Sequence, residues 1–154
     1  MDPPVLRLDS FLPFRLSLTS NLVSDAIART YDALFGLTIP EWRLVAVIAE
    51  TDGITQAAIG ERTGMDKVTV SRAAISLVGR GLLQRRAHEG DRRSHRLALS
   101  STGQDLYAAV APKALELERR IFSSFGDEEL AAFRATLRKI DAVLLPDAGG
   151  NQRA

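Results

Sequence analysis

The sequence contains no cysteine, and this absence excludes disulfides, thiolate metal sites, cysteine nucleophiles and thiol-based redox sensing. Histidine is almost as scarce, because His88 and His95 are the only two. A zinc site would need carboxylates for most of its ligands, and the acidic residues show no ligand spacing. Nor can a nucleophile, a base and an orienting group be assembled from these residues. We therefore expect neither an enzyme nor a protein that holds a metal or a cofactor.

Long apolar runs are absent too, since no stretch approaches the roughly 20 residues that span a bilayer. The first ten residues lack the basic start and the apolar centre of a secretory signal. These features predict a cytoplasmic protein. The length of 154 residues suits one compact domain, or one fold with an appendage.

Positive charge is concentrated in the middle of the chain, although the net charge is only +1. Residues 54–100 contain nine lysines or arginines against four acids, whereas residues 1–53 sum to −3 and residues 101–154 to −1. Such segregation is typical of a protein whose central part meets a polyanion.

Apolar residues at helical spacing predict a long helix over residues 13–35, ended by Gly36. Apolar side chains occupy so much of its circumference that the helix needs cover on more than one side, as a partner subunit provides. Thr38 and Glu41 have the spacing of a capping box, which predicts a second helix that reaches about residue 50.

Two short helices joined by a glycine turn are predicted next. Thr55 is the expected N-cap of the first, which ends at Gly64, and Asp66 caps the second, which covers residues 66–79. Gly81 has the position of a Schellman-type helix end. The inward stripe of the second helix consists of Val70, Ala73, Ala74, Leu77 and Val78.

A hairpin and two further helices complete the prediction. Strands over residues 82–87 and 94–99 flank a charged loop. A capping box at residues 101–104 begins a helix that Pro112 is expected to kink, and Asp127 caps a last helix. The apolar seam of this last helix consists of Leu130, Phe133, Leu137, Ile140 and Leu144.

The order helix, helix, turn, helix, hairpin is the layout of a winged helix-turn-helix, in which the second helix of the motif enters the major groove. The predicted fold class is therefore mainly α with a small β-hairpin wing. We call this second helix, residues 66–79, the reading helix. Hydroxyl and basic side chains near its start can hydrogen-bond bases and phosphates, and Val68 can contact a thymine methyl group. The start of the preceding helix can offer backbone N–H groups to a phosphate. Candidate DNA contacts in the two helices are Thr55, Gln56, Lys67, Val68, Thr69, Ser71 and Arg72.

Residues 91–103, Asp-Arg-Arg-Ser-His-Arg-Leu-Ala-Leu-Ser-Ser-Thr-Gly, resemble the wing signature of the MarR (multiple antibiotic resistance regulator) family of winged-helix transcription factors. The resemblance extends over nearly the whole chain, with Ser100 where threonine is usual. It implies that Arg93 enters the minor groove and that Asp91 holds the arginine's guanidinium in place. Further candidate DNA contacts at the wing are Arg86 and Arg92.

The same resemblance implies a homodimer with N- and C-terminal dimerisation helices. Residues 1–37 would form the N-terminal dimerisation helix, residues 38–100 the DNA-binding region, residues 101–146 the C-terminal dimerisation helices and residues 147–154 a disordered tail. Two reading helices would then bind a pseudo-palindromic operator whose half-sites lie about one helical turn apart.

A small aromatic or anionic effector is also implied by the resemblance, bound between the dimer helices and the DNA-binding region. We expect an aromatic acid or its acyl-CoA thioester to release a repressor from DNA. Arg15 and Arg43 could pair with a carboxylate or phosphate, although surface arginines with snorkelling stems explain them equally well. The candidate effector contacts are Phe11, Phe14, Arg15, Leu18, Trp42 and Arg43.

A winged helix that contacts another protein and binds no DNA is the alternative, since a fold does not dictate a function. The positive charge of residues 54–100 favours DNA.

Overall fold

The computed structural model describes residues 1, 3–88 and 91–145, with side chains described for all of these except residues 88 and 91–94. This part of the chain contains six α-helices and a small three-stranded antiparallel sheet, which confirms the predicted fold class. A short 3-10 turn, Leu8–Ser10, precedes the first helix. The elements are α1 Leu12–Phe35, α2 Ile39–Ala49, β1 Ile54–Thr55, α3 Gln56–Thr63, α4 Lys67–Gly79, β2 Leu83–His88, β3 Asp91–Leu99, α5 Ser101–Ile121 and α6 Asp127–Leu144.

The first two helices lie within one residue of their predicted bounds. α1 ends at Gly36, which has a left-handed φ of 59° and donates its N–H to the Asp32 carbonyl at 3.0 Å. α2 begins with a complete capping box. In it the Thr38 N–H donates to Glu41 Oε1 at 3.1 Å, and the Glu41 N–H donates to Thr38 Oγ1 at 3.3 Å.

The predicted caps of the last two helices are each wrong by one residue. α5 is capped by Ser100, whose Oγ accepts the Gly103 N–H at 3.0 Å. The same hydroxyl donates to the Gly81 carbonyl at 2.6 Å, so a distant turn decides which of two adjacent serines caps the helix. α6 has Gly126 at its N-cap with no side-chain hydrogen bond, and Asp127 is its first helical residue.

The sheet contains a strand that the sequence analysis assigned to the start of a helix. β1 has only two residues and pairs antiparallel with β3, with Ile54 opposite Leu97 and Thr55 opposite Arg96. β2 lies on the other side of β3, so the strand order is β1-β3-β2. A pattern of two residues is too short to predict, because the strand exists only through its partner about 40 positions later.

The hydrophobic core lies where α2, α3 and α4 pack against one another and against the sheet. Its fully buried side chains include Leu37, Leu44, Val45, Ile48, Ile59, Val70, Leu77, Leu97 and Val110. Gly103 is essential to this packing, because a Cβ at this position would lie 2.0 Å from the Leu82 carbonyl oxygen. The chain can therefore bring α5 against the end of α4 only with glycine here.

The contacts divide the chain into a unit of residues 1–114 and a unit of residues 115–154. In the second unit, α6 buries none of its residues, and Arg134 Nη2 donates to Glu118 Oε1 at 3.1 Å. The tail predicted for residues 147–154 lies outside the described residues. Within the described ranges, none of the helices combines the length and the apolar character that a membrane span requires.

Candidate nucleic-acid interface

The helix-turn-helix is built from α3, a turn at Gly64 and α4. Gly64 has a φ of 70° and donates its N–H to the Gly60 carbonyl at 2.9 Å, which ends α3. Two residues later Asp66 starts α4, because its Oδ1 accepts the Thr69 N–H at 2.7 Å. α4 ends in the predicted Schellman motif, in which the Leu82 N–H donates to the Leu77 carbonyl at 2.9 Å. These local bonds confirm the predicted bounds of the reading helix.

One face of α4 anchors the helix and another faces outward. Val70, Ala73, Ala74 and Leu77 are buried, as predicted, while Val78 is half-buried. The opposite side exposes candidate DNA contacts in the N-terminal half of the helix. Of these, Lys67, Val68 and Arg72 are exposed, and Thr69 and Ser71 are half-buried.

Val68 is 59% exposed, which is unusual for a branched aliphatic side chain in the middle of a basic and polar surface. It lies one helical turn before Arg72, so the two side chains project from the same face. An apolar group beside a guanidinium can contact a thymine methyl while the cation reaches a base or a phosphate.

The carboxylate of Asp66 is held in its charged form. Hydrogen bonds from the backbone and side chain of Thr69 are the main cause of a lowered pKa, and the nearby charge of Arg72 contributes in the same direction. The cap therefore stays charged at neutral pH and fixes the first turn of α4.

At the start of α3, Thr55 Oγ1 accepts the Ala58 N–H at 3.2 Å. Thr55 and Gln56 are both half-buried, and the backbone of Thr55 is paired with β3. The structure thus brings the start of α3 against the base of the wing hairpin.

The base of the wing carries opposed arginines. Arg86 on β2 lies directly across from Arg96 on β3, and Arg86 Nη1 is 4.0 Å from Asp52 Oδ1. Two guanidinium groups on neighbouring strands add positive charge at the base of the wing, and such charge suits a polyanion. The backbone of Asp91, Arg92 and Arg93 belongs to β3. Their side chains lie outside the described residues, so their roles stay predictions.

The candidate effector contacts divide by exposure. Phe11, Arg15 and Arg43 are exposed, whereas Phe14, Leu18 and Trp42 are half-buried. Trp42 belongs to an aromatic cluster, because its ring centroid is 5.4 Å from that of Tyr31 and 6.1 Å from that of Tyr107. Burial raises the pKa of the Tyr31 hydroxyl.

A shallow depression of about 210 Å³ opens beside this aromatic cluster. It includes Tyr107 but none of the six candidate effector residues, and Asp52 and Arg86 lie on it. In the part of the chain that the structure describes, His, Asp and Glu form no group that could hold a metal ion.

The sequence analysis missed a polar network at the meeting point of α1, α2 and α4, which we call the junction network. It consists of Thr38, Glu41, Ser76 and Arg80 with the carbonyls of Phe35 and Gly36. The spacing of Ser76 and Arg80 places them on one face of α4, and this is the only signal in the sequence. Their partner is 35 or more positions away, so only the folded chain reveals it.

Comparison with known proteins finds that the chain is similar to transcriptional regulators. The family model described as MarR family matches residues 35–94. The transcriptional regulator HosA of Escherichia coli O111:H- is 27% identical over 119 residues, which cover 77% of this chain and 88% of HosA.

Solved structures agree over most of the chain. NMB1585, a MarR family regulator from Neisseria meningitidis, is 28% identical with a TM-score of 0.73, over 91% of this chain and 94% of that one. CouR from Rhodococcus jostii RHA1, solved bound to p-coumaroyl-CoA, has the same fold. It is 23% identical with a TM-score of 0.79, over 88% of this chain and 95% of CouR. Together with the reading helix and the hairpin described above, these findings show that the chain has the fold of MarR family transcriptional regulators and is similar to them in sequence, most specifically over residues 35–94.

Proposed function

We propose that the protein is a homodimeric repressor that binds a pseudo-palindromic operator and releases it when a small aromatic or anionic effector binds. The observation that carries the proposal is the outer face of α4, where Lys67, Val68 and Arg72 are exposed on a helix whose other face is buried. A rigid helix with cationic and hydroxyl side chains near its N-terminal end suits the major groove. The wing residues Asp91, Arg92 and Arg93 remain candidates for contact with the minor groove.

A homodimer is supported by apolar side chains that one subunit leaves uncovered. On α1, Leu12 is 72% exposed and Leu22 is 62% exposed. On α6, Val143 is 83% exposed and Phe133 is 47% exposed. A second copy that covers these side chains would supply a second reading helix, as an operator needs whose half-sites lie about 34 Å apart.

An aromatic acid or its CoA thioester as effector is supported by two independent findings. The related protein CouR was solved with p-coumaroyl-CoA. In this chain Trp42 lies half-buried between two tyrosines, a surface on which a planar ring can stack. Arg43 follows on the same helix as an exposed cation for an anionic group.

DNA binding is tested by two substitutions in gel-shift titrations against an operator selected from random DNA with the wild-type protein. Arg72→Ala and Arg93→Ala should each weaken operator binding by about 10- to 100-fold, because each removes a cationic side chain that is proposed to contact DNA. Arg120→Ala is the matched control, since Arg120 is paired with Glu116 in its own helix and is 72% exposed. Operator affinity unaltered in both test variants, or binding that does not weaken with salt, contradicts the assignment.

Effector binding can be read from the protein's own fluorescence, because Trp42 is its single tryptophan. Adding benzoate, p-coumarate or p-coumaroyl-CoA should change the emission of Trp42 and lower operator affinity over the same concentration range. In a Trp42→Phe variant the emission change disappears, while an effect on operator affinity can still be measured. If none of the three compounds changes either signal, the proposed effector class is wrong.

A further inference from the structure

The junction network joins the end of the first helix, the start of the second and the far end of the reading helix. Glu41 is only 7% exposed, although it is charged. Its Oε2 accepts a hydrogen bond from Ser76 Oγ at 3.0 Å and one from Arg80 Nη1 at 3.4 Å, while its Oε1 accepts the Thr38 N–H. A buried carboxylate with three donors is held in one orientation.

Arg80 extends this network to α1. Its Nη1 donates to the Gly36 carbonyl at 3.0 Å and its Nη2 to the Phe35 carbonyl at 3.4 Å. These carbonyls belong to the C-terminal end of α1, where a cation is favourable, and Glu41 lies in the first turn of α2, where an anion is favourable. The pair therefore complements two helix ends and links both to α4.

The network lies at the opposite end of α4 from the candidate DNA contacts, so a small change in helix angle there moves those contacts by a larger distance. Arg80 is the C-cap of α4, whereas Lys67, Val68 and Arg72 lie in the N-terminal half. A helix of 13 residues is about 20 Å long. A tilt of about 10° about the C-terminal end would move the N-terminal end by about 3 Å, which is the length of a whole hydrogen bond.

We propose that Glu41 and Arg80 are positioning residues for DNA reading, which fix the angle of α4 relative to α1 and thereby set the separation of the two reading helices. The inference rests on the proposed function, in which α1 belongs to the dimer framework and α4 reads DNA. Neither residue touches DNA. Their effect is on discrimination between DNA sequences and between half-site spacings.

Electrostatics on its own predicts the opposite result for one variant, and this makes the inference testable. Glu41→Gln raises the net charge of the protein by one, so it should tighten binding to any DNA if only charge matters. If Glu41 positions α4, the same variant should bind the operator more weakly and scrambled DNA as tightly as before or more tightly.

The experiment measures fluorescence anisotropy at one salt concentration, with the selected operator, a scrambled duplex of equal composition, and operators whose central spacer is changed by one or two base pairs. Glu41→Gln and Arg80→Ala should each lower the ratio of operator to scrambled affinity by about tenfold and flatten the dependence on spacer length. Arg80→Lys should give a ratio between those of Arg80→Ala and the wild type. Lysine keeps the positive charge, but it lacks the planar guanidinium that donates to two helices.

Glu50→Gln is the matched control, since Glu50 caps the other end of α2 and pairs with Arg62 at the surface. It changes the charge by the same amount, so it should shift operator and scrambled affinities together and leave their ratio unchanged. Circular dichroism defines a temperature at which every variant is folded. If Glu41→Gln is too unstable, Ser76→Ala removes one hydrogen bond to Glu41 and should lower the ratio by about two- to threefold.

Three outcomes separate the possibilities. The inference is overturned, and the proposed function left intact, if three variants keep the affinity ratio and the spacer preference of the wild type. These variants are Glu41→Gln, Arg80→Ala and Ser76→Ala. A ratio that falls equally in Glu50→Gln also overturns it, because charge would then be the cause. A wild-type protein that does not distinguish operator from scrambled DNA overturns the proposed function itself.

Discussion

Residues 38–100, which we call the lobe and which the sequence predicts to bind DNA, differ from helix α6 in the burial of their apolar side chains. The lobe buries Leu44, Ile59, Leu77 and Leu97 completely within one chain. α6 buries none of its residues and leaves Phe133, Val143 and Leu144 exposed. The core of the lobe is therefore covered within one chain, whereas the exposed apolar side chains of α6 are not. In such a protein the stability of the fold and the stability of the assembly respond to different substitutions.

The largest expected effect is a cavity in the lobe. Leu77→Ala should lower the free energy of unfolding by about 2–5 kcal/mol, because Leu77 is fully buried on the inner face of α4. Ile75→Ala on the same helix should change it by less than about 0.5 kcal/mol, because Ile75 is 61% exposed. Urea unfolding followed by circular dichroism measures both, and equal losses would contradict the assigned faces of α4.

The next largest effect concerns assembly. Phe133→Glu places a charge among the exposed apolar side chains of α6, and it should raise the dissociation constant of the proposed dimer at least tenfold, or about 1.4 kcal/mol. Lys139→Glu changes the charge of the same helix at a polar position and should leave the constant within about threefold. Sedimentation over a range of protein concentrations distinguishes them. A Phe133→Glu protein that stays dimeric would remove α6 from the interface and weaken the contrast with the lobe.

Substitution of two glycines tests the close packing at the start of α5 through the stability of the protein. Gly103→Ala should destabilise the protein by about 1–3 kcal/mol, because the new Cβ would lie 2.0 Å from the Leu82 carbonyl oxygen. Gly79→Ala should stabilise it by up to about 1 kcal/mol, because no atom lies within 4 Å of the new Cβ and alanine favours a helix. Thermal unfolding measures the opposite signs. A stabilising Gly103→Ala would contradict the packing at this point.

The smallest effect is the pH dependence of the junction network, at the boundary between α1 and the lobe. Burial by itself would raise the pKa of Glu41, but hydrogen bonds from Thr38 and Ser76 and the charge of Arg80 outweigh it and lower the pKa below its ordinary value of 4.5. A lowered folded-state pKa gives stability that is present above about pH 4.5 and is lost as the pH falls through the folded value.

Unfolding free energies of the wild type and Glu41→Gln, measured in urea from pH 7 to pH 3, should therefore converge at the acidic end. The difference between the two proteins is expected to be constant near neutral pH and to shrink below about pH 4.5. A difference that stays constant down to pH 3 would show that the charge of Glu41 contributes nothing to stability.

Elements with local signals were predictable from the sequence. The bounds of α4 follow from the Asp66 cap, the Gly64 turn before it and the Gly81 turn after it, and each signal lies within a few residues of the helix. The capping box of α2 was predictable for the same reason. Family resemblance added the wing, whose most specific residues follow one another in the chain.

Features that depend on distant partners were not predictable. β1 exists because Ile54 and Thr55 meet β3, and Ser100 rather than Ser101 caps α5 because the Gly81 carbonyl is within reach. The junction network joins residues 35 to 45 positions apart. The candidate effector residues were chosen from helix faces, but the depression that the structure reveals is lined by other side chains. In each case the missing information was which segments meet in space.

The three-stranded sheet has a consequence for how such regulators diversify. Near Leu97 and Arg96, β3 is held between β1 and β2, but beyond them it pairs with β2 alone, and the register shifts between Ala87 and His88. The inner end of the hairpin is thus paired with the residues that precede α3, while toward Asp91 the pairing of β3 is with β2 only, as a two-stranded ribbon. Insertions or deletions of paired residues in this ribbon would change the reach of the wing along DNA without altering the core. Wing length can therefore evolve separately from the stability of the lobe.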